Sequence, residues 1–195
     1  MRFKAATARG IISNGAVLSH HTFSFGTYID LEGMCFHQLK VLSFEIFPPR
    51  SFLNLEAKSD YCLCLIQVRG SVEYRDKEMK FAVNQDNRLV KIVKNSGTCY
   101  TLSNELDEVA EIYQIWLKGN CAEVDEVKIC SLAKDRTLKK RSVNKRIWIQ
   151  CLQGELTVGQ FKLVAGDGLA IEAEENVEIK SSCESEFIWI QVPTS

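Results

Sequence analysis

Apolar residues recur along the chain in short runs that alternate with polar positions, and turn-forming residues separate the runs. Alternation with a period of two places every second side chain on one face of a β-strand. The spacing of about 8–15 residues, broken by Gly, Asn and Asp, is typical of a β-sandwich or barrel rather than of βαβ units. A single short helix is predicted at 123–132. The predicted strands are 22–28, 37–47, 61–68, 70–75, 88–93, 110–116, 146–152, 155–158, 169–173, 177–180 and 186–192.

The pattern occurs twice along the chain. Residues 68–72 (VRGSV) are matched by 152–156 (LQGEL), and the aromatic strand 111–117 (EIYQIWL) is echoed by 186–192 (EFIWIQV). A repeat in this order predicts two tandem β-domains. We place the boundary at a cluster of basic residues, which gives domains 1–135 and 136–195. Because the second domain is short, the N-terminal arm 2–13 is predicted to add a strand to it.

Composition narrows the class of protein. The chain has 195 residues and a formal net charge of −1, with 46% hydrophobic and 25% charged residues, as in ordinary soluble globular proteins. A near-neutral chain has no general attraction to nucleic acid or membranes. The basic cluster at 134–146 lacks interleaved aromatic residues, which favours a solvated linker over a nucleic-acid contact. With no apolar run of membrane-spanning length and no signal peptide, the sequence predicts a cytoplasmic protein, with a monomer favoured.

Residues 21–30 (HTFSFGTYID) form the most distinctive motif. It resembles the signature near the start of the pirin family, and the likeness continues through FHQLKV at 36–41 and QIWL at 114–117. Pirins are bicupins with a mononuclear metal in a cupin barrel. The resemblance therefore implies an all-β bicupin of two tandem jelly-roll barrels, the second one shortened. It also implies quercetin 2,3-dioxygenase activity, provided that the metal is kept.

The residues that such a metal needs are missing. A cupin metal site takes three or four His or carboxylate ligands, and the only histidines are His20, His21 and His37. Adjacent His20 and His21 face opposite sides of a strand, and His37 stands alone. We interpret all three as structural or surface residues, with His21 in a structural arm.

The resemblance places the family's ligand positions on Glu56, Lys58, Tyr100 and Leu102. Only Glu56 among these could ligate an ion. The chain is therefore more similar to the metal-less branch of pirin-like bicupins, the bacterial YhaK-like proteins. No metal, no cofactor and no catalytic residue is predicted.

Two arrangements are open at these positions. In the first, Glu56, Lys58 and Tyr100 project into the N-terminal barrel, where they could bind a small polar or anionic molecule. In the second, Glu56 and Lys58 lie on an exposed loop and Leu102 fills the interior.

The eight cysteines are interpreted mainly as small buried hydrophobic residues. The same register would aim Cys62 and Cys64 into the barrel, with Cys99 next to Tyr100. A thiol near Lys58 would have a lowered pKa and would oxidise readily. Cys62, Cys64 and Cys99 are therefore the redox candidates.

We expect a pirin-like bicupin without a working metal site that binds a small molecule, senses redox conditions or interacts with a partner. One alternative is a metal-dependent oxygenase, similar to quercetin 2,3-dioxygenase, with atypical ligands. Another is a binding protein similar to a transcription cofactor.

Overall fold

The computed structural model describes residues 1–31, 33–119, 126–141, 145–172 and 176–192. These residues form nineteen strands and two single-turn 3-10 helices, Ala6–Ala8 and Gln85–Asn87. No helix among them is long and apolar enough to cross a membrane. The strands are β1 (Arg2–Lys4), β2 (Gly10–Asn14), β3 (Val17–His21), β4 (Leu39–Phe47), β5 (Ser51–Glu56), β6 (Tyr61–Arg69), β7 (Val72–Arg75), β8 (Lys80–Val83), β9 (Leu89–Lys94), β10 (Cys99–Asn104), β11 (Ala110–Lys118), β12 (Glu126–Leu132), β13 (Thr137–Arg141), β14 (Arg146–Gln153), β15 (Glu155–Val158), β16 (Phe161–Val164), β17 (Gly168–Ile171), β18 (Asn176–Ser181) and β19 (Ser185–Val192).

The first compact unit, called here the first barrel, comprises Gly10–Glu123. A six-stranded sheet in the order β2-β3-β4-β11-β6-β9 faces a four-stranded sheet in the order β5-β10-β7-β8, and the paired strands run antiparallel. Alternate side chains from both sheets form one core, which includes Leu63 and Leu65 from β6 and Leu102 from β10. This period-two burial is what the alternating sequence predicts.

The second compact unit, the second barrel, comprises Met1–Arg9 and Val124–Ser195. Its sheets have the orders β1-β17-β14-β19-β12 and β13-β18-β15-β16. Within the N-terminal arm, β1 pairs with β17, with Arg2 opposite Ala170. The rest of the arm differs from the prediction, since β2 pairs with β3 of the first barrel.

The predicted helix and the predicted boundary are both corrected by β12. Glu126–Leu132 is a strand that pairs along its whole length with β19, whereas residues 123–125 lie outside the described part. Pairing with a buried aromatic strand outweighs the weak helix preference of this segment. Because β12 belongs to the second barrel, the units divide between 123 and 124 rather than at 135.

The basic segment predicted as a linker is also a strand. Thr137–Arg141 is β13, which pairs with β18. Lys139 forms an ion pair with Glu178 at 3.1 Å, and the Lys140 ammonium lies 4.4 Å from the centre of the Trp189 ring. These charged side chains therefore belong to a strand of the second barrel rather than to a linker.

The motif at 21–30 forms a tight turn rather than the predicted strand 22–28. The backbones of Phe25 and Tyr28 exchange two hydrogen bonds, of 3.0 and 2.9 Å, around Gly26, whose φ is +56°. Glycine adopts this left-handed conformation without a steric penalty. The Tyr28 ring lies directly over Gly10, where an added Cβ would come within 2.2 Å of ring carbons. The motif thus folds back onto β2.

Candidate functional site

A cavity of about 340 Å³ lies inside the first barrel, below this turn. Its exposed rim is formed by the end of β2 and by Gly26 and Thr27 of the turn. Its walls combine aliphatic and aromatic side chains with a small polar group on β3, β4 and β11. The lining residues are Ile12, Ser13, Asn14, Ser19, His21, Phe25, Gly26, Thr27, Val41, Ser43, Glu45, Leu53, Leu55, Gln114 and Trp116.

Glu45 is the buried charged group of this cavity, with 1% of its surface exposed. Ser43 Oγ donates to Glu45 Oε1 at 2.6 Å, Gln114 Nε2 donates to the same oxygen at 3.1 Å, and Ser19 Oγ donates to Oε2. The register explains the cluster, because Ser19 lies opposite Glu45 on the paired strands β3 and β4. Burial raises the pKa of Glu45, and these three hydrogen bonds oppose the rise.

His21 and Trp116 each bring a polar atom that lacks a hydrogen-bond partner among the described residues. The two buried atoms are His21 Nδ1 and Trp116 Nε1. Burial and the neighbouring His20 lower the pKa of His21 to about 4, so the imidazole is neutral near neutral pH. Buried polar atoms are normally paired, and the cavity is where a bound molecule could pair these two.

Aromatic rings form a continuous row along the same wall. The rings of His21 and Phe25 stack with centroids 5.0 Å apart, and Phe25 meets Trp116 edge-on at 5.1 Å. Trp116 in turn stacks on Tyr61 at 4.4 Å. Each ring holds the next in place, which gives the cavity a rigid aromatic side.

Two tyrosines extend the hydrogen bonding behind Gln114. Tyr61 OH donates to Tyr100 OH, which donates to Gln114 Oε1, both at 3.4 Å. Burial raises the pKa of Tyr61 to about 12 and also raises that of Tyr100. Both phenols therefore stay neutral, and the chain of donors ends at the Glu45 carboxyl group.

The four residues aligned with the family's metal ligands fall into two pairs. Tyr100 and Leu102 face the core of the first barrel. Glu56 and Lys58 instead form an exposed ion pair of 2.5 Å, with 45% and 78% of their side-chain surfaces exposed. The reason is strand parity, since Leu53 and Leu55 are the β5 residues that point into the cavity. Glu56 is thus exposed at the end of β5 rather than on a loop, and Leu102 is buried in the core.

The side chains present in the first barrel do not provide the ligand set of a cupin metal site. No group of three His, Cys, Asp or Glu residues in the described part of the chain is placed to hold an ion. Glu45 and His21 line one cavity, but Tyr100 and Leu102 stand where the resemblance puts two further ligands. A phenol bonded to Gln114 and an aliphatic side chain replace a histidine and a carboxylate there.

The cysteine candidates do not line the cavity. On β6 the core-facing residues are Tyr61, Leu63 and Leu65, so Cys62 and Cys64 lie on the opposite face, which corrects their predicted inward direction. Cys62 is disulfide-bonded, and Cys64 is a fully buried free thiol. Burial raises the pKa of Cys64 to about 12, opposite to the lowered pKa expected of a reactive thiol.

Cys99 is an exposed free thiol at the start of β10. Its Sγ lies 4.0 Å from the carbonyl oxygen of Gly97. It borders an outer groove of about 310 Å³ that also includes Asp76 and Lys94. Of the three redox candidates, it is the one that solvent reaches.

Asp76 and Lys94 form a buried ion pair, with 5% and 3% of their side-chain surfaces exposed. Tyr74 OH donates to Asp76 Oδ2 at 2.5 Å, and the backbone N–H groups of Glu78 and Met79 donate to Oδ1 at 2.8 and 2.7 Å. Burial acts to raise the pKa of Asp76, but Lys94 and these donors together hold it well below its usual range. The pair fixes the β7–β8 turn against β9.

Two consecutive antiparallel β-barrels in one chain define a bicupin, and comparisons with known proteins show what this chain is similar to. Residues 126–192 match the family model described as the quercetinase C-terminal cupin domain. The quercetin 2,3-dioxygenase of Escherichia coli K12 is 23% identical over an alignment of 225 positions, gaps included, with 97% of each chain covered. The resemblance to pirins and the all-β bicupin fold, both predicted from the sequence, are confirmed.

Solved structures agree over nearly the whole chain. The Escherichia coli pirin YhhW, determined in complex with nickel(II), has a TM-score of 0.85 and 22% identity, and covers 100% of this chain and 99% of its own. The Escherichia coli protein YhaK has a TM-score of 0.64 and 17% identity, with 92% and 94% covered. At these identities the likeness establishes the shared fold.

Sequence reasoning missed the cavity residues Glu45, Gln114 and Trp116 and assigned His21 to a structural arm. The available signal was an acidic residue in an apolar strand, because Val41, Ser43 and Glu45 share one face by their period of two. A buried carboxylate at a core-facing position is unusual, and it marked the site more directly than the aligned metal positions did.

Proposed function

We propose that this protein binds a small organic molecule in the cavity of its first barrel and does so without a metal ion there. The cavity itself carries the proposal. It combines about 340 Å³ of space with apolar walls and a few convergent polar groups, the usual composition of a ligand site. The unpartnered atoms of His21 and Trp116 supply hydrogen bonds that a ligand would complete.

The residues at the aligned ligand positions support binding over metal-dependent oxygenation. The relatives named above include a quercetin 2,3-dioxygenase and a nickel-bound pirin, so that activity is the alternative to test. In this chain Leu102 has no ligating atom, and Glu56 and Lys58 form an exposed ion pair outside the cavity. A role similar to a transcription cofactor has no structural observation in its favour.

The test of the metal proposal is elemental analysis of the purified protein, followed by addition of iron, nickel or copper. We expect no stoichiometric metal and no oxygen uptake with quercetin in any of these samples. A stoichiometric metal that supports oxygen uptake would overturn the proposal of metal-free ligand binding and favour the dioxygenase alternative.

Ligand entry is tested by nuclear magnetic resonance with benzyl alcohol as the probe, a molecule small enough for the cavity. The Trp116 indole N–H should shift on titration, while the signals of Trp148 and Trp189 in the second barrel stay fixed. Leu55→Phe, which fills the cavity, should abolish the shift. Asn54→Phe, on the exposed opposite face of β5, should preserve it. Equal responses of the two variants would contradict binding in the cavity.

A further inference from the structure

We propose that the cavity selects an organic cation, a small primary or secondary amine whose ammonium group pairs with Glu45. The proposal rests on the proposed ligand-binding function and adds the chemical class of the ligand. It differs from the anionic ligand expected of an inward Lys58, because that side chain lies in the exposed pair with Glu56.

The Glu45 carboxyl group has no basic side chain as a counter-ion among the residues that line the cavity. Its three hydrogen-bond donors, Ser19, Ser43 and Gln114, are all neutral, and none of the residues that line the cavity is Lys or Arg. The described residues provide no ion pair for its carboxylate. A buried carboxylate is strongly disfavoured unless a positive charge accompanies it. An ammonium group in the adjoining space would supply that charge.

The donors around Glu45 match its ionised form. The Gln114 amide nitrogen can only donate, and its oxygen is already engaged by Tyr100 OH. Glu45 Oε1 therefore accepts from the Gln114 amide nitrogen. The hydroxyl groups of Ser43 and Ser19 donate to Glu45 Oε1 and Oε2, respectively. Hydrogen bonds of this kind stabilise the carboxylate that a cationic ligand requires.

The aromatic wall suits the same ligand. Phe25 and Trp116 border the cavity, and indole is the best of the side-chain rings for binding a cation. His21 is neutral near neutral pH, so it does not compete for Glu45, and its Nδ1 can accept an ammonium N–H. A ligand carboxylate, in contrast, would be repelled by Glu45.

The pH dependence follows from the groups that face Glu45. These are His21 from β3 and the phenols Tyr61 and Tyr100 from β6 and β10, which are all neutral near neutral pH. Glu45 is then the group whose ionisation sets the charge of the site, and burial raises its pKa. Amine binding should strengthen with rising pH, because the carboxylate form becomes more populated.

The experiment compares benzylamine with benzyl alcohol, which have equal numbers of heavy atoms, in the Trp116 titration described above. In the wild type at about pH 8 we expect the amine to bind about tenfold or more tightly than the alcohol, as a hydrogen bond to a charged group implies. Glu45→Gln should remove this preference, so that the affinities of the amine and the alcohol for the variant lie within about threefold of each other. The control Glu105→Gln, at an exposed carboxylate, should keep it.

The outcomes separate the two proposals. Binding of the alcohol as tightly as the amine to the wild type would overturn the cation proposal and leave ligand binding intact. Binding of neither probe would count against both. If the Glu45→Gln variant fails to fold, the pH dependence of benzylamine binding to the wild type tests the proposal by itself, because benzylamine stays protonated at both pH values compared. A benzylamine affinity that does not rise between about pH 5 and about pH 8 would overturn the proposal.

Discussion

Replacing Lys94 by Met should destabilise the first barrel strongly. The substitution keeps the length and apolar stem of the side chain but removes its charge, which leaves Asp76 ionised and buried. The exposed side-chain fractions of 3% and 5% place this pair away from water. Breaking a buried ion pair by removing one partner costs about 3–5 kcal/mol, and loss of the ammonium 5.0 Å from the Tyr74 ring centre acts in the same direction.

Urea unfolding followed by tryptophan fluorescence measures this change. With a slope of about 1–3 kcal/mol per molar urea, the midpoint of the first barrel should fall by about 1 M or more. The control is Arg50→Met, since Arg50 pairs with Asp107 at 2.9 Å on the surface, with 62% and 82% of their side chains exposed. That variant should leave the midpoint unchanged within error.

A double variant tests whether the charge itself is responsible. Once Lys94 is Met, Asp76→Asn removes an uncompensated charge while the side-chain oxygen can still accept backbone hydrogen bonds. The double variant should therefore be more stable than the sum of the single effects predicts, by about 2 kcal/mol or more. Additive effects, or a Lys94→Met variant within about 1 kcal/mol of the wild type, would refute the reasoning.

Three further measurements check other parts of the structure. The pKa of Asp76 is lowered in the folded state, so its contribution to stability is present above about pH 4 and is lost as the pH falls. The difference in the free energy of unfolding between the wild type and Asp76→Asn should therefore shrink in acid. A difference that stays constant with pH would contradict this. Peptide mapping after mild peroxide should show oxidation of exposed Cys99 but not of buried Cys64 in the folded protein, and the reverse order would refute the assigned burial. Gly10→Ala should lower the free energy of unfolding by about 1–3 kcal/mol because its Cβ meets the Tyr28 ring, and less in a Tyr28→Ala background; an equal loss in both backgrounds would exclude this contact as the cause.

Strands that are apolar along one face, such as β6 and β15, were predictable from the sequence, but β10, which buries two polar residues, was not. The segment 155–158 coincides with β15, and 61–68 falls within β6. β10 was missed because Ser103 and Asn104 suggest a loop. In the structure, Asn104 is buried and its side-chain amide donates to the carbonyl oxygens of Phe47, Pro48 and Glu108. A hydrogen-bonded polar core residue has no signature in hydrophobic periodicity.

The site was harder to predict because it depends on register. The motif resemblance placed the candidate positions in the first barrel, and Tyr100 and Leu102 lie in its core. It left open whether Glu56 faces inward, since a shift of one residue moves every side chain of a strand to the other face. The approach of Ser19 to Glu45 arises from the pairing of separate strands, which no local pattern specifies.

The pairing of β1 with β17 constrains the order in which the chain can fold. Ala6 N–H donates to the side chain of Asp167, 161 positions further along the sequence, at 2.8 Å, and β1 reaches its place only after β17 has been synthesised. Contacts of such large sequence separation form late, because closing a long loop is entropically unfavourable. During synthesis, β1 leaves the ribosome long before β17 and is therefore among the last strands to become ordered, and the edge of β17 stays open to other partners until β1 pairs with it.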